Sequence, residues 1–171
     1  YGTNTTPGTT DMLSAFDSAW AVAQVDGGTI FIPAGTYLLS DTWVCAVTNT
    51  VNVKVDGYGA ELVVPASGIS GPAVQVLGSY LEWVLTIEGL DFNHDGNNTI
   101  EGCIEVLGGH CAIIKRCTTV KRAALKSDYY FVSFDSSRPG QADENDYNSF
   151  WCAVEECTTR KLNGAVVGDI P

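Results

Sequence analysis

Cations are scarce in this chain. Its 171 residues carry nine Lys and Arg against twenty Asp and Glu, a formal charge of −11. Nucleic-acid backbones are held by clustered cations, so a nucleic-acid partner is not expected. An anionic membrane surface is disfavoured for the same reason. No apolar run approaches the ~18 residues of a membrane span. No basic segment leads into an apolar one in the manner of a secretion signal, which leaves the compartment open. Histidine is nearly absent too: only His94 and His110 occur, and no two cysteines are spaced Cys-x-x-Cys. A zinc site therefore lacks its donors, and no metal or cofactor is expected. There is no Gly-x-x-x-x-Gly-Lys phosphate loop and no serine in a nucleophile elbow.

Apolar residues are plentiful. They make up 45% of the chain against 17% charged, the balance of a chain that buries a core. Six cysteines are present: Cys45, Cys103, Cys111, Cys117, Cys152 and Cys157. A chain of this length forms a core without staples, so most are expected to be buried free thiols.

Met12, Phe16, Ala19, Trp20 and Ala23 recur at helical spacing and predict a helix over residues 10–25. Thr9 or Thr10 is the expected N-cap, and Gly27-Gly28 ends it. After Gly28, short β-branched runs alternate with Gly, Asn, Asp and Pro, which signals many short strands.

Those strands repeat one pattern: two inward residues, a two-residue corner, two more inward residues. It fits Ile30, Ile32, Gly35 and Tyr37; Val53, Val55, Tyr58 and Ala60; Leu85, Ile87, Leu90 and Phe92; Ala112, Ile114, Cys117 and Thr119; and Cys152, Val154, Cys157 and Thr159. The corners are Pro33-Ala34, Asp56-Gly57, Glu88-Gly89, Lys115-Arg116 and Glu155-Glu156. Corners of one form with spacers of varying length predict an all-β fold: a parallel β-helix, or solenoid, with an N-terminal capping helix. A sandwich would need primed hairpin turns at the corners, and these are missing. Residues 1–28 form the expected cap segment and helix. Residues 29–171 form the expected rungs, cut short at the C-terminal end. Register then sets Lys115 and Arg116 beside Glu155 and Glu156, a favourable cross-strand pairing.

The opening forty residues carry a resemblance. Tyr1-Gly2, then Thr9-Thr10-Asp11 before an Ala-rich helix, then Gly28-Thr29, Pro33, Gly35 and Tyr37, resemble the start of pectate-lyase-like right-handed β-helices. The Gly-Asp-Gly stretch usual there is missing from Asn4 to Gly8, and a single Asp11 stands where a pair is usual. Within that family the chain is most similar to the N-terminal part of a bacteriophage tailspike. The resemblance implies the right-handed form of the parallel β-helix, a carbohydrate-facing scaffold, a homotrimer, other virion tail proteins as neighbours, and a place in the phage tail or otherwise outside the cell. It fixes no reaction.

Polysaccharide cleavage by hydrolysis needs paired carboxylates, and stacked strands bring acids within reach of one another. Glu155 and Glu156 share a corner. The densest polar cluster, Asp91 to Asn98, begins like a calcium loop, but the closing position is Gly102, with Glu101 one residue short. Turn formation is the plain reading of that cluster. Asp91, Asp95 and Glu101, with His94 beside them, are the catalytic alternatives. The long polar spacer from Asp135 to Asn148 suits a protruding loop, and Arg138, Tyr147 and Trp151 are candidates to hold a sugar. Tyr80 and Trp83 are weaker candidates of the same kind. The leading expectation is a tailspike or tail-fibre domain that binds and depolymerises host surface polysaccharide, by hydrolase or lyase chemistry. The alternatives are a non-catalytic virion structural or adhesin module, and a secreted pectinase or glucanase.

Overall fold

The computed structural model describes residues 4–65, 69–78, 83–94, 99–108, 111–121, 129–135 and 151–161. One helix, α1 (Leu13–Asp26), precedes twelve described strands. The first four are β1 (Gly28–Phe31), β2 (Gly35–Leu38), β3 (Trp43–Ala46) and β4 (Asn52–Val63). Then come β5 (Pro72–Leu77), β6 (Val84–Asn93), β7 (Gly102–Leu107) and β8 (Ala112–Lys115). The last are β9 (Thr118–Lys121), β10 (Tyr130–Asp135), β11 (Ala153–Glu155) and β12 (Thr158–Lys161).

All named pairings are parallel. One eight-stranded sheet runs β1-β4-β6-β8-β11, with β2 beside β4 and β9 between β6 and β12. A four-stranded sheet runs β10-β7-β5-β3. Parallel neighbours need crossovers, and the chain supplies them by alternating between the two sheets. The core lies between the sheets and includes Trp43, Val55, Leu62, Val76, Ile87, Phe92, Ile104 and Ile114, all fully buried.

The expected all-β solenoid is corrected here. The fold is α/β, with parallel strands in two sheets and one helix among the described residues, 12% of them helical and 53% in strands, and it is not a clear β-helix. Two features account for the difference. The helix is built into the core: Phe16, Ala19, Trp20 and Ala23 are buried, and the Phe16 ring lies 5.1 Å from Trp43 and 5.8 Å from Tyr37. Successive turns also differ in make-up. β4 and β6 run through the bend unbroken, whereas the matching stretches elsewhere split into β1 and β2, β8 and β9, or β11 and β12.

The helix begins later than its periodicity predicts, with Met12 and not a threonine at the N-cap, and Asp11 just before it. Its Oδ1 accepts the Leu13 N–H at 3.1 Å and the Ser40 N–H at 3.2 Å, tying the helix start to the chain after β2. Gly27, at φ 75°, closes the other end with its N–H on Ala23 O at 2.8 Å.

Register is as predicted from Ile87 to Ile114 to Val154. It departs at the two earlier copies. Val55 pairs with Ile30, not Ile32, and Leu90 pairs with Ala60, not Tyr58. The irregularity lies between Asp56 and Ala60. Left-handed backbone shows where corners turn: Gly89, Arg116 and Glu156 have φ of 75°, 51° and 53°. In β4 the matching residue is Gly59, at φ 78°. That corner therefore sits two residues later than Asp56-Gly57 suggests.

Candidate functional site

Outward side chains of the larger sheet form two polar groups of opposite character. The first follows the register column Asp56, Glu88, Lys115 and Glu155. Glu88 is its hub and is almost fully buried. Its carboxylate meets Lys54 Nζ at 3.0 Å, Lys115 Nζ at 3.7 Å and an Arg116 guanidinium nitrogen at 2.8 Å, and it accepts the Tyr58 hydroxyl at 3.0 Å. The hydrogen bond from Lys54, with those from its other partners, holds the carboxyl down at about 2. Arg116 also bridges Glu156, Nε to Oε2, at 2.6 Å. Glu155 stands opposite Lys115. The expected corner pairing is thus present, with Glu88 at a centre the sequence reading overlooked. Charges here are matched at close range, which suits a clamp across four strands.

The second group follows the column Thr36, Glu61, Asp91, Thr118 and Thr158 on the other side of the bend. Glu61 and Asp91 are in register on adjacent strands, whose backbones lie ~4.8 Å apart. Both are half-buried and point to the same outer face. Glu61 accepts Asn93 Nδ2 at 2.8 Å and the Thr36 hydroxyl at 3.2 Å. Asp91 accepts the Thr118 hydroxyl. Among the described residues neither carboxylate forms an ion pair. Two in-register acids held by neutral donors, with no ion pair among the described residues, line a polar strip on this outer face.

Of the other acids singled out in the sequence, Glu101 is exposed just before β7, on the smaller sheet. Asp95 lies outside the described residues, as do Arg138, Tyr147, Tyr80 and His110. Trp151 is 83% exposed, at φ 58°, and presents a free ring to solvent. Trp83 is 2% exposed and so cannot stack on a sugar; it is a core residue.

His94 does not join Asp91. Alternation along a strand puts the two on opposite faces, and His94 is fully buried. Its Nε2 lies 2.7 Å from the Tyr129 hydroxyl, 3.2 Å from Thr119 Oγ1 and 3.4 Å from Cys103 Sγ. Nδ1 has no hydrogen-bond partner among the described residues. Burial holds the imidazole neutral, with its pKa lowered to about 4 from 6.5, and pushes the Cys103 thiol up to about 12. A neutral thiol and a neutral imidazole in the core make a structural knot between the sheets, not a nucleophile and its base.

That knot sets an acid limit. The unfolded chain takes up the His94 proton from about pH 6.5 downward, whereas the folded chain resists until about 4. Stability from this group is full above pH 6.5 and falls as pH drops to 4, by roughly 3 kcal/mol in all. Urea midpoints measured between pH 7 and 5, above the range of ordinary carboxylates, should decline. A flat profile there would show that His94 is not held neutral in the core.

Comparison with known proteins gives no match: no family model fits the chain, and neither a curated protein nor a solved structure matches it.

Proposed function

We propose that this chain is part of a phage tailspike or tail-fibre protein that binds and depolymerises host surface polysaccharide, with Glu61 and Asp91 as its acid pair. The carrying observation is the in-register stacking of those two carboxylates on one outer face, free of cations among the described residues. Glycosidic hydrolysis requires two carboxyl groups, one to protonate the leaving oxygen and one to attack or to activate water. A separation of ~5–5.5 Å goes with retention of configuration, and the strand spacing lies close to it. Asn93, Thr36 and Thr118 fix the acids and border a polar strip along which sugar hydroxyls find partners. The resemblance of the first forty residues supports a carbohydrate-facing role, a homotrimer and a tail location. The acidity of the chain favours a neutral glycan over a polyanion at this strip.

A second reading is a non-catalytic adhesin or fibre module. The saturated ion cluster around Glu88 favours it, because such a clamp stiffens the sheet without any chemistry. Incubating the complete protein with host capsule or O-antigen separates the two. New reducing ends support the enzyme. Glycan retention with no new ends supports the adhesin and removes the acid pair from catalysis. Unsaturated products without hydrolysis would replace the two-acid mechanism by a lyase.

A further inference from the structure

We propose that Cys117 and Cys157 form a redox pair that closes into a disulfide between the start of β9 and the start of β12. Thr118 pairs with Thr158, and the Thr158 N–H donates to Cys117 O at 3.0 Å, so the two cysteines stand side by side in register. Each follows a corner of the same left-handed form, Arg116 at φ 51° and Glu156 at φ 53°, which sends both side chains the same way. Both are buried, at 0% and 3% exposure, and each thiol reaches a main-chain carbonyl, Cys117 that of Lys115 at 3.4 Å and Cys157 that of Ile114 at 3.6 Å. Strands ~4.8 Å apart put the Cα atoms inside the 4.4–6.8 Å range of disulfides.

The four other thiols are placed differently. Cys111 and Cys152 sit before β8 and β11, where Ala153 pairs with Ile113. That register sets Cys152 opposite Ala112 and Cys111 opposite Trp151, whose carbonyl accepts the Cys111 thiol at 3.6 Å. Cys103 lies 2.9 Å from the Tyr129 hydroxyl. Cys45 is buried alone in β3.

The two thiols are unlike. The neighbouring Cys117 holds the Cys157 thiol down, to about 7, while its neighbour and burial push Cys117 up. Cys157 is therefore the attacking sulfur. With hydrogen peroxide as oxidant, the Cys157 thiolate displaces hydroxide from the peroxide oxygen and becomes a sulfenic acid. Cys117 then attacks that sulfur, the S–S bond forms, and the sulfenic oxygen leaves as water with the Cys117 proton. The pair gives up two electrons and the peroxide takes them.

The test treats the native protein with dilute hydrogen peroxide, alkylates the remaining thiols and maps the peptides by mass. A Cys117–Cys157 cross-link, with four alkylated thiols, is expected. The melting temperature should rise by roughly 5–10 °C, because the closed loop constrains the unfolded chain. In a Cys117→Ser variant, which keeps a hydroxyl beside Cys157 but cannot close the bond, the sulfenic acid at Cys157 should persist and take a dimedone label, a readout that needs no change in stability. The proposal is overturned if Cys111 and Cys152 cross-link instead. It is equally overturned if Cys157 stays reduced at a dose that oxidises the unfolded chain.

Discussion

Trp43→Ala is expected to cost about 3–5 kcal/mol, the largest loss of any single core change proposed for this fold. Trp43 is fully buried on β3, the edge strand of the smaller sheet. Its ring meets Phe16 of α1 at 5.1 Å and 45°, and Phe16 in turn meets Tyr37 of β2. The ring chain Trp43–Phe16–Tyr37 therefore joins smaller sheet, helix and larger sheet. Alanine leaves a cavity that three separate elements would have to close together, and a parallel sheet yields little. The urea midpoint should fall with an unchanged slope. A loss under about 1 kcal/mol would mean that the helix is not integral to the core, and the account of the α/β fold would need revision.

Glu61→Gln and Asp91→Asn should each lower polysaccharide cleavage by about 10²–10⁴-fold, the usual contribution of a positioned acid or base. Both replacements keep size and can still accept hydrogen bonds from Thr36, Asn93 and Thr118. Folding and glycan retention should therefore persist. The double variant should be little worse than the poorer single one, because the two groups act as a unit. Additive losses would instead point to two separate binding contributions. Initial rates of reducing-end release, with the midpoint of unfolding as control, measure this.

Of the proposed acid pair, Asp91 stands out in the sequence and Glu61 does not, for a specific reason. Asp56-Gly57 has the composition of a corner, so residue type alone places the turn there. The backbone turns at Gly59, the one residue of that stretch in the left-handed region, where the other corners carry Gly89, Arg116 and Glu156. Two residues of error move Glu61 out of the repeat and hide its pairing with Asp91. They also hide Leu62, a fully buried partner of Phe92. Copies with matching chemistry at the corner, Glu88-Gly89, Lys115-Arg116 and Glu155-Glu156, could be aligned correctly by residue type alone. His94 carried a usable signal: Phe92 faces inward, so alternation turns His94 inward as well and away from Asp91. The true start of the helix is not legible locally because Asp11 reaches across to Ser40, a long-range partner that local propensity does not register. The fold class departed from expectation because the periodicity of the strands says nothing of how deeply α1 enters the core, nor of which turns run unbroken.

The most direct test sets two acid variants side by side. Glu61→Gln and Glu156→Gln, each in the complete protein, would be assayed for reducing-end release from the host capsule or O-antigen. Glu156 is exposed and bound to Arg116 at the corner, where its charge serves the clamp. The account predicts that Glu61→Gln loses about 10²-fold or more while Glu156→Gln keeps near-full activity. Full activity in Glu61→Gln, or its loss in Glu156→Gln with the fold intact, would contradict it and move the chemistry to the corner.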